Sequence, residues 1–417
     1  MNFLKNKLTK KMTTLAFAGA LMLGITACGT DNDGATGSST QGVTDTTIRI
    51  GNSVATSGAL APVGVPFQAG LLAYIEMVNQ GGGINGRLIE YIHQDDGFDP
   101  ATGIAILEGL INDDEVFAIV GHFGTPVIGA TVPMLIESGI PSVYFAAGTG
   151  VVYNENALPG QGHNLFPVQP VFPMEGRIMA AVAKGEFNAS RVGVIFTNDD
   201  AGLDLIGGIA QEAEEIGGLE IISAQVAPGA DDVSAAVLTV LAADVDMVII
   251  ASIQGTFPQI ARALANHGNT APVLTSYVNV DATMTNLVAD DIGTQYQLFG
   301  TAWVDVDLLV SSPFGQWVNQ VHNDDFSANA FAMTGWIAGS FFVEGLRRVG
   351  SNELTWESYI SAMEQAPIRN PFGGYIDFSN GSRVGTQEMM VFAMDRNDPT
   401  GWTMFMPMRT MAEILGN

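Results

Sequence analysis

Short apolar runs alternate with amphipathic stretches along most of this chain. Thr47 to Gly51 alternates apolar and polar residues as a strand does, and the Gly-, Pro- and Ala-rich loop Asn52 to Pro66 leads into a helix with Phe67, Leu71, Tyr74, Ile75 and Val78 on one face. Gly81-Gly82-Gly83 stops that helix, Ile84-Asn85-Gly86 makes a turn, and Leu88 to His93 is the next strand. Beyond the polar loop Gln94 to Pro100 a helix runs from Ala101 to about Asn112. Phe117 to Val120 is an apolar run, suited to a buried strand, that Gly121 ends. Thr125-Pro126 then supplies an N-cap hydroxyl and a proline at the first helical position, followed by Val127, Ile128, Val132, Leu135 and Ile136 at helical spacing. Gly139 closes this helix, and Pro141 begins a strand through Phe145.

A second series follows the irregular stretch Val152 to Asn164. Strands are predicted over Arg191 to Phe196, Leu219 to Gln225, Met247 to Ser252 and Pro272 to Tyr277, with helices at Leu203 to Ile216, Val233 to Ala242 and Pro258 to Asn266 between them. Gln297 to Trp303 is a further strand, Ala328 to Arg348 a long helix, and Tyr359 marks a short one. The last third (Gly374 to Phe378, Met389 to Met394, Trp402 to Met406) alternates like closing β-strands. Strand–helix alternation is the signature of parallel sheets. There are more such units than one sheet of usual size takes, and no charge-rich linker divides them. An α/β protein of two lobes, joined by several crossing segments, satisfies both facts.

Two of these strands end side by side, at Gly121 to Thr125 and at Ala146 to Gly150, where open α/β sheets bind ligands. Ala146-Ala147-Gly148-Thr149-Gly150 has side chains too small to fill the space beyond its strand. The amides from Thr125 onward suit an anion such as a carboxylate without any lysine.

Composition adds an address. Lys5, Lys7, Lys10 and Lys11 precede the apolar run Leu15 to Ile25, which is too short to span a membrane in a mature protein and reads as a signal peptide over residues 1–27. The chain's single cysteine, Cys28, stands at its cleavage boundary, Ile25-Thr26-Ala27-Cys28. Residues 28–45 contain almost no large apolar side chain and read as a flexible tether. The formal net charge is −27, and removal of the leader lysines leaves the mature chain more acidic still, so nucleic acid and anionic lipid headgroups are poor partners for its surface. One cysteine also excludes an internal disulfide, so hydrophobic cores alone must hold the body together.

Catalytic chemistry finds no support. HExxH, GxSxG and Walker A patterns are absent, Gly51 to Gly58 lacks the dinucleotide fingerprint, and His93, His122, His163, His267 and His322 have no ligand spacing. The acidic groups Asp95-Asp96-Asp99, Asn198-Asp199-Asp200 and Asn323-Asp324-Asp325 lack a Ca²⁺-loop pattern and read as caps and turns. No cofactor, no metal and no enzyme activity are expected.

Six stretches stand in order: Ser57-Gly58, Asn79 to Arg87 (NQGGGINGR), Gln94 to Pro100 (QDDGFDP), Ile119 to Pro126 (IVGHFGTP), Gly139 to Gly150 (GIPSVYFAAGTG) and Phe196 to Gly202 (FTNDDAG). Together they resemble the type I periplasmic binding proteins of branched-chain amino acid type, the substrate receptors of ABC importers. The resemblance covers about residues 46 to 410. It implies two Rossmann-like lobes with parallel sheets joined by a three-crossover hinge, with residues 46–166 and 303–386 in lobe 1 and residues 167–302 and 387–417 in lobe 2. It also implies a lipobox at Cys28, hence lipid anchoring outside the cytoplasm, a permease partner and a monomeric receptor.

Carried over by position, Thr125 resembles the hydroxyl that holds the ligand carboxylate, Ala146 the residue whose backbone meets the head group, and Val63 and Phe123 pocket-lining residues. Gly148 stands where a second hydroxyl usually lies, with Thr149 beside it as the expected substitute. In the second lobe Ala201 and Ile253 replace aromatics, and Tyr277 replaces the acid that pairs with a ligand ammonium. A buried ammonium lacking a counter-charge costs several kcal/mol in order of magnitude, which points to a small carboxylate as readily as to an amino acid. A receptor that signals through a membrane partner uses the same fold and is the alternative; the absence of a fused sensor domain in the sequence favours transport.

Overall fold

A computed structural model describes residues 41–416, apart from 254, 281, 306–307, 309–311, 323–325, 328 and 399–400. The expected leader, Cys28 and the first part of the expected tether lie outside the described residues.

Along the first part of the chain, β1 (Thr47–Ser53), α1 (Ala61–Gln80), β2 (Leu88–Gln94), α2 (Pro100–Asn112), β3 (Ala118–Phe123), α3 (Thr125–Ser138), β4 (Ser142–Ala146) and β5 (Leu165–Phe166) build one sheet. Its order is β2-β1-β3-β4-β5, and every pair is parallel. The chain then crosses into α4 (Phe172–Gly185) and a second series: β6 (Arg191–Thr197), α5 (Asp200–Ile216), β7 (Glu220–Val226), α6 (Ser234–Leu241), β8 (Met247–Ala251), α7 (Phe257–Asn266), β9 (Val273–Thr275), α8 (Ala282–Ile292) and β10 (Leu298–Ala302).

It returns through α9 (Phe314–Val321), α10 (Ala330–Val349) and α11 (Trp356–Met363). Helix α10 packs along α1, where the Trp336 ring meets Tyr74 edge-on at 4.8 Å. A small hairpin of β11 (Ile368–Arg369) and β12 (Tyr375–Ile376) precedes the third crossing. Strands β13 (Glu388–Met394) and β14 (Trp402–Thr410) then extend the second sheet antiparallel beside β10, in the order β14-β13-β10-β9-β8-β6-β7, and α12 (Met411–Leu415) ends the chain's described elements. This is the two-lobed, parallel-dominated α/β architecture that the alternation predicts.

Central parallel strands are covered by helices on both faces and must be apolar throughout. Every residue of β3 and of β8 is accordingly buried. Helix starts follow capping chemistry: Asp199 accepts from the Gly202 amide at 3.0 Å to open α5, and Thr355 and Ser358 form a reciprocal capping box on α11.

The structure differs from the sequence reading in several places. Helices α4, α8, α9 and α12 and the short strands β5 and β11 do not figure among the elements read from the sequence. Helix α3 is capped by Gly124, at φ +91°, and begins at Thr125, so the Thr125 hydroxyl is not a cap. Strand β9 stops at Thr275, and Tyr277 opens a 3₁₀ turn to Asn279, because its amide turns to Glu175. Residues 41–45, assigned to the tether, are held on the body. Gln41 donates to the carbonyls of Ile111 at 2.8 Å and Val116 at 3.1 Å, and Val43 bridges Ile48. An amide side chain and backbone pairing with β1 thus tie down a stretch whose composition suggested freedom.

Candidate functional site

The C-terminal ends of the strands in both sheets carry the predicted residues. In the first lobe, sheet register sets Phe123 beside Ala146. Gly124 follows, with the Phe98 ring so close that a Cβ there would fall 2.7 Å from it; only glycine fits this approach at positive φ. Thr125 is part-buried, and among the described residues no side chain caps the first turn of α3. Its hydroxyl and the leading amides therefore remain available to an outside acceptor. Phe123 packs 5.9 Å from the Phe67 ring and is 5% exposed, which makes it a core residue under the site more than a wall of it. The Ala146 carbonyl accepts from the Gly124 amide at 3.3 Å. Val63 is part-buried in the first turn of α1.

Gly148 and Thr149 depart from expectation. The Phe172 ring occupies the space that a side chain at 148 would need, and the Phe172 amide donates to the Gly148 carbonyl at 2.6 Å. Thr149 is 2% exposed and turns its hydroxyl to the Val151 amide at 3.4 Å, capping the 3₁₀ turn Gly150–Val152. It does not present the substitute hydroxyl.

From the second lobe, Ala201 is buried in the first turn of α5. One turn on, the Asp204 carboxylate accepts from the Gly150 amide at 2.7 Å, tying α5 to the loop after β4. Burial raises the Asp204 pKa, and the Gly150 hydrogen bond opposes the rise. Ile253 follows β8 and is part-buried; beside it the buried Ser252 hydroxyl has no partner among the described residues. Tyr277 is part-buried, its ring 6.4 Å from Phe172. Its hydroxyl accepts from Gln169 at 3.1 Å and donates to the Pro170 carbonyl at 3.3 Å. Gln169 in turn accepts from the Tyr144 hydroxyl of β4 at 2.9 Å, so a polar relay runs from one sheet through the crossing segment to the other. Burial pushes the Tyr277 phenol well above its ordinary pKa and keeps it neutral.

The geometry thus brings Gly148, Phe172 and Tyr277 into one stack between the lobes. No hydrogen bond joins Thr125 to the second lobe among the described residues. Phe172, Gln169, Glu175 and Asp204 escape sequence reading; the helical spacing of Ile178, Ala181 and Val182 was the available signal for α4, which holds Phe172 and Glu175. Asp95, Asp96 and Asp99 serve turns and a cap, as their spacing suggested. Asp95 accepts the Thr56 and Gly97 amides, Asp96 the Ser53 hydroxyl and Phe98 amide, and Asp99 the Thr102 amide.

A model of the periplasmic binding protein family matches residues 47–399, which takes in the first sheet and all of the second but β14. The chain belongs to that family. Among periplasmic binding proteins, the Leu/Ile/Val-binding protein homolog 1 of Brucella abortus is 23% identical over 330 residues, covering 78% of this chain and 85% of the relative. Two solved structures share the fold. A fatty acid ABC transporter substrate-binding protein from Thermomonospora curvata has a TM-score of 0.69 at 20% identity, over 90% of this chain and 95% of that one. A putative branched-chain amino acid ABC transporter protein from Rhodospirillum rubrum has a TM-score of 0.69 at 19% identity, over 86% of this chain and all of that one. Family membership makes the chain a solute-binding receptor of type I periplasmic fold that works outside the cytoplasm.

Proposed function

We propose that this receptor serves an ABC importer of the branched-chain amino acid type, anchored as a monomer through lipid on Cys28, and that it clamps a small carboxylate or amino-acid-like solute between its lobes. The observation that supports the reading is the start of α3, where the N-cap Gly124 offers no side chain and the Thr125 hydroxyl and leading amides stand at the end of β3. Two further facts narrow the ligand. Tyr277, where an ammonium-pairing acid is expected, has a neutral hydroxyl already engaged by Gln169 and Pro170. The solutes named for the relatives, Leu/Ile/Val and a fatty acid, share a carboxylate but not an amine. Small Ala201 and apolar Ile253 suit a bulky or aromatic tail. A thermal-shift screen of aliphatic and aromatic carboxylates against amino acids tests the reading, since ligands that bind only the native state raise stability by mass action. A screen in which no carboxylate and no amino acid raises the melting temperature would refute it.

A further inference from the structure

Glu175, in the first turn of α4, is a carboxylate with 0% exposure whose partners all come from other elements. One oxygen, Oε2, accepts from the Ser276 hydroxyl at 2.8 Å; the other, Oε1, accepts from the Tyr277 amide at 2.9 Å and the Thr301 hydroxyl at 2.5 Å. These three donors belong to the end of β9, the turn that bears Tyr277, and β10. Among the described residues no arginine, lysine or histidine pairs with this carboxylate. Burying an acid without a cation is costly, and an apolar side chain would fill the same space at less cost if packing were its whole task.

We propose that Glu175 is a positioning residue of the ligand crevice: its carboxylate clamps the Tyr277 turn to β10 and thereby fixes where the Tyr277 ring stands against Phe172. The inference rests on the crevice reading above and adds a residue that touches no ligand. Without the clamp, the Tyr277 amide has no acceptor, and β9 is free to run on past Thr275 and carry the ring out of the stack. The Tyr277 hydroxyl is tethered separately through Gln169, so loss of Glu175 loosens the turn without unfolding the lobe.

The test is hydrogen exchange in the Tyr277 segment of the full mature chain, read beside calorimetric binding of benzoate. Glu175→Leu should speed exchange of the Tyr277 amide by about tenfold or more, and Glu175→Gln, which keeps one acceptor, should restore most of the protection. Benzoate affinity should fall in the same order, by about tenfold and then by less. If Glu175→Leu does not fold, Ser276→Ala and Thr301→Val remove donors while leaving the acid, and each should speed exchange by roughly threefold. Unchanged exchange in the folded variants overturns the proposal. Wild-type protein that ignores benzoate counts instead against the carboxylate reading, and the exchange arm then decides the role of Glu175 by itself.

Discussion

Phe172 lies against Gly148 so closely that a Cβ on the glycine would fall 2.6–2.8 Å from three ring carbons. The first residue of α4 thus fills the place of a side chain on the loop after β4, and joins the two lobes there. Gly148→Ser should destabilise the protein by about 1–3 kcal/mol in urea unfolding, the scale of overpacking. Adding Phe172→Ala should recover part of that loss. A double variant no more stable than the sum of the two single losses would contradict the packing account.

Burial gives stability a pH dependence at Glu175. The carboxyl is pushed up from an ordinary 4.5 to about 7 in the folded state, chiefly by desolvation, against the pull of Thr301, Tyr277 and Ser276. A raised folded-state value means that the contribution is fully present below about 4.5 and is lost as pH rises to about 7. Glu175→Gln removes this dependence. Thermal melts at pH 5 and pH 8 should therefore show the variant gaining on wild type at the higher pH, by up to roughly 3 kcal/mol. A stability difference that stays constant between the two would show that the carboxyl does not titrate in this window.

Among the described residues the part-buried Thr125 hydroxyl has no hydrogen-bond partner. Thr125→Val should leave the melting temperature within about a degree of wild type, as surface changes do. It should weaken binding of the carboxylate with the largest thermal shift by roughly 1–3 kcal/mol, the scale for a hydrogen bond to a charged group. Loss of stability with no loss of affinity would reassign Thr125 to the scaffold.

The proposed lipid anchor makes a separate prediction about address. Cys28→Ala should abolish lipid labelling and release the receptor or leave its precursor unprocessed. Labelling that persists in this variant would exclude the anchor.

Strands and helices are legible in this chain because β3 and β8 are continuous apolar runs and α3 and α5 announce themselves through Gly124-Thr125-Pro126 and Asp199. What stays hidden is side-chain direction. Thr149 and Gly148 sit one residue apart, and only the packed Phe172 reveals that one is crowded out and the other turned inward. Glu175 and Asp204 are likewise ordinary helical acids in sequence; their partners Tyr277 and Gly150 lie 102 and 54 residues away. The loop at Gly124 and Thr125 follows from local chemistry, whereas the surroundings of Gly148, Thr149 and Tyr277 depend on contacts that no local pattern carries.

Isothermal calorimetry of wild-type protein with leucine and with its deaminated analogue, 4-methylpentanoate, tests the central claim most directly. A carboxylate held by Thr125 and the α3 amides, facing a neutral and engaged Tyr277, predicts that the plain acid binds at least as tightly as the amino acid. Tight binding of leucine with no binding of 4-methylpentanoate would contradict the account and require another acid to meet the ammonium.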